Sequence, residues 1–214
     1  MGRTPLPAVS ASATTAGPYG ESQNAEPDGE HDGEVTSVLP KFRYHPDPLA
    51  TGSVKPSSTE CIVCGQSRGY IYTGPVYAIE EHDSEICPWC IADGSAANRL
   101  GAEFTDVGWG VPDDVPASAC EEIAHRTPGS SSWQQDHWLY HCADGCAFLG
   151  AVGRRDLDDY PDALDVLLHE TDQFGWSAEQ SQRYIDSLDA NGQPTAYLFR
   201  CLHCGTHLVF SDFT

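Results

Sequence analysis

Large apolar residues are sparse up to position 38 and then recur in short, separated runs to the C-terminus. Phe42 and Tyr44 alternate with basic residues, a period-2 pattern that predicts a short strand. His45-Pro46-Asp47-Pro48 forces an extended or turned path, because each proline restricts the residue before it. Residues 49–58 read as a loop, and 59–64 as a strand entering a tight turn. Tyr70-Ile71-Tyr72 and Val76-Tyr77-Ala78-Ile79 flank Thr73-Gly74-Pro75, which predicts a hairpin. Residues 87–100 read as one helix, opened near Pro88 and stopped by Gly101. A second helix is expected over 113–125, capped by Asp113 or Asp114 and ended by Thr127-Pro128-Gly129. Strands follow over 137–141, 147–152, 195–200 and 206–210. Between them, 154–192 reads as an acidic helical insert. Tyr160, Leu164, Leu167 and Leu168 form one apolar stripe, and Tyr184, Ile185 and Leu188 another, the second helix opening on a Ser177/Gln180 capping box.

Composition changes this picture at the N-terminus. Residues 1–38 are mostly small, polar or acidic and cannot bury enough surface to offset the entropy of ordering, so an acidic disordered tail is expected there. The whole chain carries 32 acids against 11 bases, a net charge of -21. Nucleic-acid binding rests on Lys/Arg contacts to phosphate, and the sparse Lys41, Arg43, Arg99, Arg154 and Arg155 make no basic stripe. The balance favours a solvated acidic surface or a basic protein partner over nucleic acid. No apolar run approaches the roughly 20 residues of a membrane helix, and no secretory signal pattern opens the chain, so a cytoplasmic protein without a membrane partner is expected.

Nine cysteines cannot all pair as disulfides. Eight fall into close pairs: Cys61/Cys64, Cys87/Cys90, Cys142/Cys146 and Cys201/Cys204. Cys120 stands alone on the face of Ile123 and Ala124 and reads as a core residue. The clustering fits metal ligation better than a disulfide framework. Cys61 and Cys64 with Gly65 form a knuckle. With the following hairpin, and with Cys87 and Cys90 on the first turn of a helix, they outline a treble-clef-like finger. Cys142/Cys146 and Cys201/Cys204, each flanked by strands, outline a zinc ribbon with the helical insert between them. His141, His203 or His207 could replace a cysteine in this second site, although His141 and His203 adjoin cysteines and chain geometry often points such neighbours away. The expected fold is α+β: a tail over 1–38, a treble-clef-like zinc unit over 39–112, and a zinc-ribbon-like unit over 113–214 carrying the insert 154–192. Two Zn2+ ions are the expected cofactors.

The motif residues resemble the bacterial CbrC family. The likeness lies in Phe42-Arg43-Tyr44-His45-Pro46-Asp47-Pro48-Leu49-Ala50-Thr51-Gly52, Cys87-Pro88-Trp89-Cys90-Ile91-Ala92-Asp93-Gly94-Ser95, Thr127-Pro128-Gly129, Trp133-Gln134-Gln135 and the segment His141 to Gly150, and it covers the chain from about 39 onward. It implies a bacterial protein described by three Cys-x-x-Cys motifs, here Cys61/Cys64, Cys87/Cys90 and Cys201/Cys204. The biochemical activity of that family is uncharacterised, and its named member is linked to colicin E2 tolerance and a two-component system. The likeness implies a role in bacteriocin or envelope-stress tolerance and brings no catalytic residues. Ser130-Ser131-Ser132 follows the Thr-Pro-Gly turn where that family is expected to place an aromatic.

Three functional readings follow. Closed four-ligand sites leave no open coordination position, which favours a non-catalytic zinc-binding protein acting through a protein partner. Cys87-Pro88-Trp89-Cys90 at a helix start also fits a thiol-disulfide oxidoreductase, because the helix dipole lowers the first thiol's pKa. Nucleic-acid binding is the third and has the charge against it. Any ligand or hydrolytic role falls to His45, Asp47, Asp93, Ser95, Gln134, Gln135 or Asp144. His45, Asp93, Ser95, Gln134 and Gln135 are the candidate interaction residues, with Gln134 and Gln135 the least explained by packing.

Overall fold

The computed structural model describes residues 38–108, 110–134 and 137–212. The tail expected over 1–38 therefore lies outside the described residues, Val38 excepted. The remainder is a mixed helix-and-sheet structure. Its first elements are an antiparallel pair, β1 (Val54–Pro56) and β2 (Tyr70–Tyr72), with Lys55 opposite Ile71. The expected hairpin around Thr73-Gly74-Pro75 does not form. Tyr70–Tyr72 pairs backward with β1 instead, so the Cys61/Cys64 knuckle becomes the long tip of that hairpin, and Tyr77 bridges Glu103. Residues 42–44 and 59–64 likewise hold no strand.

The helix expected over 87–100 is two short helices, α1 (Pro88–Ala92) and α2 (Ser95–Leu100). Gly94 sits between them at φ 79°, a left-handed conformation that ends one helix and starts the next. Helix α3 (Ala117–Arg126) begins after Pro116 rather than at Asp113 or Asp114. Strand β3 (Tyr140–His141) meets β4 (Asp144–Gly145) in a minimal hairpin. Strands β5 (Ala147–Val152), β6 (Thr195–Arg200) and β7 (His207–Asp212) form one antiparallel sheet in the order β5-β6-β7. The insert carries a 3-10 turn (Asp156–Asp159), α4 (Pro161–Gln173) and α5 (Ala178–Asp186). The Ser177/Gln180 capping box is present, each side chain bonded to the other residue's backbone N–H.

Three apolar clusters follow these elements. Val54, Ile71, Ile86, Ile91 and Phe104 pack around the first cysteine group. Trp138, Phe148 and Phe199 pack around the second, their rings 5.1 to 6.4 Å apart in edge and tilted contacts. Leu157, Leu167 and Ile185 seat the insert on β6 through Ala196 and Leu198. The segment before residue 112 also reaches into the second half. Tyr44 belongs to the Trp138 cluster, and the N–H of Phe104 donates to Ala124 at 2.7 Å.

His45 is fully buried against the edge of Phe148. The Pro128 carbonyl, 2.6 Å from Nδ1, can only accept, so Nδ1 carries the proton and Nε2 accepts from the Thr51 hydroxyl at 2.7 Å. The ring is neutral in this arrangement. Burial pulls its pKa from 6.5 down to about 4, against the opposing Pro128 hydrogen bond and the Asp47 charge. A depressed histidine binds its proton more readily in the unfolded chain. It therefore adds stability above pH 6.5 that is lost as pH falls toward 4, by about 3 kcal/mol over the window. Urea midpoints measured between pH 7 and pH 4.5 should fall more steeply for the wild type than for His45→Asn. Parallel curves would disprove the linkage.

Candidate metal centres

The first centre is assembled at the hairpin tip and the α1 start. The N–H of Gly65, at φ 65°, donates to the Cys61 carbonyl at 2.7 Å, and the N–H of Cys61 donates to Gln66 at 3.0 Å, closing a tight knuckle. Ile62 and Tyr72 donate to Glu85 and Ile86, which draws the second pair alongside. Cys61, Cys64, Cys87 and Cys90 then place four sulfurs within 4.8 Å of one another. The Sγ atoms lie 3.9 Å apart for Cys61 and Cys90 and 3.8 Å apart for Cys64 and Cys87. A tetrahedron of thiolates about 2.3 Å from a central ion has edges of about 3.8 Å. The spacing thus fits one tetrahedral ion, and all nine cysteines are free of disulfides. Burial raises the Cys61 thiol, but the N–H groups of Cys87, Cys64 and Val63 that face its sulfur outweigh this and bring it down to about 7. Cys87 donates from 3.2 Å. Such donors stabilise the thiolate that a metal requires.

The second centre repeats the knuckle at the β6–β7 turn. Gly205, at φ 78°, donates to the Cys201 carbonyl at 3.1 Å, and Cys201 donates to Thr206 at 2.8 Å. The opposing ligands come from the β3–β4 hairpin. Here the structure departs from the expected Cys142/Cys146 pair. The cluster is His141, Cys142, Cys201 and Cys204, with His141 Nδ1 3.2 Å from Cys142 Sγ and 3.4 Å from Cys204 Sγ. Cys142 and Ala143 form the two-residue tip of the hairpin, both left-handed at φ 52° and 57°. This conformation is costly for residues with a Cβ and tends to persist at functional sites. It puts Cys142 at the tip and turns the chain back at once.

Cys146 lies past β4 and is fully buried in the Trp138–Phe148–Phe199 cluster. Trp138 Nε1–H donates to its carbonyl at 3.0 Å, and burial, with Cys201 and Asp144 nearby, pushes its thiol up to about 12. It is a core residue here. Replacing Cys146 with alanine should leave the metal content of the chain unchanged by native mass spectrometry. His141→Ala should remove one ion, and the reverse pattern would restore Cys146 as the ligand.

Asp144, the residue opposite His141 in the hairpin, ties this centre to the start of the folded chain. Its buried carboxylate accepts from Tyr44 Oη at 2.7 Å, Arg43 at 2.5 Å, His203 Nε2 at 2.8 Å and its neighbour Gly145 at 2.9 Å. Burial alone would raise its pKa. The Tyr44 and His203 hydrogen bonds and the Arg43 charge overcome that and hold the carboxyl below its usual range. The same contact and burial raise the Tyr44 phenol. Sequence reasoning singled out Asp144 without this role, since its partners lie 100, 101 and 59 positions away.

The other singled-out residues support the scaffold. Asp93 Oδ1 accepts the Ser95 N–H at 2.8 Å, and the Ser95 hydroxyl donates to the Cys90 carbonyl at 3.4 Å, bridging the α1–α2 break beside the first centre. Asp47 Oδ1 caps the 47–50 turn by accepting from Ala50 at 3.0 Å. His45 is the buried strut described above. The Gln134 N–H donates to Asp212 Oδ2 at 3.0 Å, next to Trp133, whose indole N–H reaches Thr195 Oγ1 at 2.9 Å. Gln135 lies outside the described residues. Cys120 is half-buried on α3 and outside both clusters.

No described helix is long and apolar enough to cross a membrane. The model of an uncharacterised protein family, UPF0167, matches residues 39–213. A UPF0167 protein of Mycobacterium bovis is 56% identical over 175 residues, covering 82% of this chain and 94% of the relative, and one from Mycobacterium tuberculosis aligns identically well. A UPF0167 protein of Pseudomonas aeruginosa is 45% identical over 177 residues, covering 82% and 98%. No solved structure matches the chain. Extending over the whole described unit and both cysteine-rich centres, this similarity places the chain in the UPF0167 family.

Proposed function

We propose that the chain is a non-catalytic zinc protein that works by engaging another protein. The observation that carries this reading is that each centre gathers four protein ligand atoms within 4.8 Å of one another. A catalytic zinc keeps a position open for water or substrate, and these sets leave none. Cys61, Cys64, Cys87 and Cys90 would hold the first ion in a treble-clef-like arrangement of knuckle and helix start. His141, Cys142, Cys201 and Cys204 would hold the second in a ribbon-like one. In each, the ion would act as a cross-link between distant segments. A thiol-disulfide role for Cys87 and Cys90 has against it that their side chains are 1% and 3% exposed and face Cys64 and Cys61.

The net charge of -21 favours a basic protein partner. The likeness to the CbrC family suggests that this partner belongs to bacteriocin or envelope-stress tolerance, and the nuclease domain of a colicin is a partner of matching charge. Native mass spectrometry should find two zinc ions per chain. Titration with a basic colicin nuclease domain should show binding that weakens as salt rises. A chain without zinc would overturn the metal assignment, and no binding even at low salt would overturn the partner.

A further inference from the structure

The two centres differ in access. In the first centre Cys61, Cys87 and Cys90 are 1%, 1% and 3% exposed and only Cys64 is half-buried. In the second centre only Cys201 is buried, while Cys142 and Cys204 are exposed and His141 is half-buried. We propose that the second centre is an oxidant-responsive site, in which Cys142 and Cys204 join as a disulfide and release the bound metal while the first centre stays closed. This rests on the reading that both centres hold zinc.

Three observations select this pair. Their sulfurs lie within 4.8 Å of each other, since all ligand atoms of the cluster do. Both sit on short turns at the surface rather than inside an element: Cys142 in the left-handed tip of a hairpin whose strands are two residues each, and Cys204 beside Gly205. Such tips move at low cost. Cys201 is anchored instead, its N–H donating to Thr206 at 2.8 Å and its sulfur accepting from the N–H of His203 at 3.4 Å.

The chemistry balances with a peroxide as the oxidant. The Cys142 thiolate attacks one peroxide oxygen, an S–O bond forms, the O–O bond breaks, and hydroxide leaves. The Cys204 thiolate then attacks the Cys142 sulfenic sulfur, an S–S bond forms, and the S–O bond breaks with loss of a second hydroxide. Two thiolates are oxidised by two electrons in total, and the peroxide is reduced to two hydroxides, which take up protons as water. His141 and Cys201 remain, and two ligands do not retain a tetrahedral ion. His203, one residue from Cys204 and held by Asp144 at 2.8 Å, lies where the β6–β7 turn would shift.

The test uses the full chain carrying Cys120→Ser, which removes the half-buried thiol outside both clusters, the other such thiol, Cys146, being fully buried. Native mass spectrometry first counts the ions. Two confirm the starting state, and one in this untreated sample would fault the zinc reading rather than the redox proposal. The chain is then treated with hydrogen peroxide, and zinc release is followed with a colorimetric chelator. Blocking of free thiols under denaturing conditions maps the disulfide by mass. The expected result is release of one ion at least about tenfold faster than the other, with Cys142 and Cys204 linked and Cys61, Cys64, Cys87, Cys90, Cys146 and Cys201 still free. Addition of dithiothreitol and zinc should restore two ions. Equal release from both centres, retention of both ions, or a disulfide within the first centre would each overturn the proposal.

Discussion

Cys87→Ser should bind one zinc ion in place of two and lose the fold around the first centre. The elements there cannot stand on their own. The two strands are three residues each, and the helices five and six. Isolated helices shorter than about 12 residues are marginal in water, and a lone two-stranded hairpin fares little better. The tip of that hairpin spans residues 57–69, and its closure entropy is set against few backbone bonds. A structural zinc contributes about 10–16 kcal/mol of apparent binding free energy in small domains, against a net folding stability of about 5–15 kcal/mol. Losing a buried ligand from this centre therefore removes as much as the domain has to spare. Near-UV circular dichroism should lose signal, and limited proteolysis should open the region between residues 54 and 104. His141→Ala should be milder, because β5, β6 and β7 with α4 and α5 keep their own apolar cluster. A Cys87→Ser chain with a wild-type urea midpoint would show that packing, not metal, holds this half.

What could be read from the sequence divides along the range of the interactions. The insert was legible because its signals are local: a capping box at Ser177 and Gln180 and apolar stripes at helical spacing. Strands β5, β6 and β7 were legible because each is a run of apolar and aromatic residues bounded by turn residues. The first cysteine cluster is foreshadowed by the Cys-x-x-Cys spacing. The second was only partly legible. That His141 and not Cys146 faces the cluster depends on Cys142 and Ala143 both taking positive φ, and neither residue type announces this as Asn-Gly would. The Gly-Pro hairpin does not form because β2 finds its partner across the knuckle instead of across the nearer Gly-Pro turn. The break at Gly94 has no local signal, because small residues continue on both sides and an isolated glycine is tolerated within a helical pattern. The Asp144 hub joins residues about a hundred positions apart, and no local pattern encodes that.

The Thr127-Pro128-Gly129 turn carries the second large effect, because it locks the region of the first centre to the helix that follows. The N–H of Gly129 donates to the Tyr72 hydroxyl at 3.1 Å, that hydroxyl donates to the Pro75 carbonyl at 2.8 Å, and the preceding Pro128 carbonyl holds the proton of His45. A Cβ at position 129 would run into the Phe104 carbonyl oxygen and lie 3.0 Å from both its carbon and the Tyr72 hydroxyl. The obstacle is backbone, and Phe104 is itself pinned by its N–H bond to Ala124 at 2.7 Å. Relief thus requires moving the turn, which breaks the Gly129–Tyr72 and Pro128–His45 hydrogen bonds together and leaves the buried Gly129 N–H and the His45 Nδ1–H without their acceptors. Gly129→Ala is expected to destabilise the chain by at least about 4 kcal/mol, in the range reserved for overpacking combined with lost buried hydrogen bonds. Gly101→Ala supplies the control. Gly101 is left-handed at φ 61° but has nothing within 4 Å of its Cβ position, so only the conformational cost of about 1 kcal/mol applies. Urea denaturation of the two zinc-loaded variants should therefore separate crowding from backbone preference. Equal losses would mean that the turn yields freely and that the Gly129 contact locks nothing.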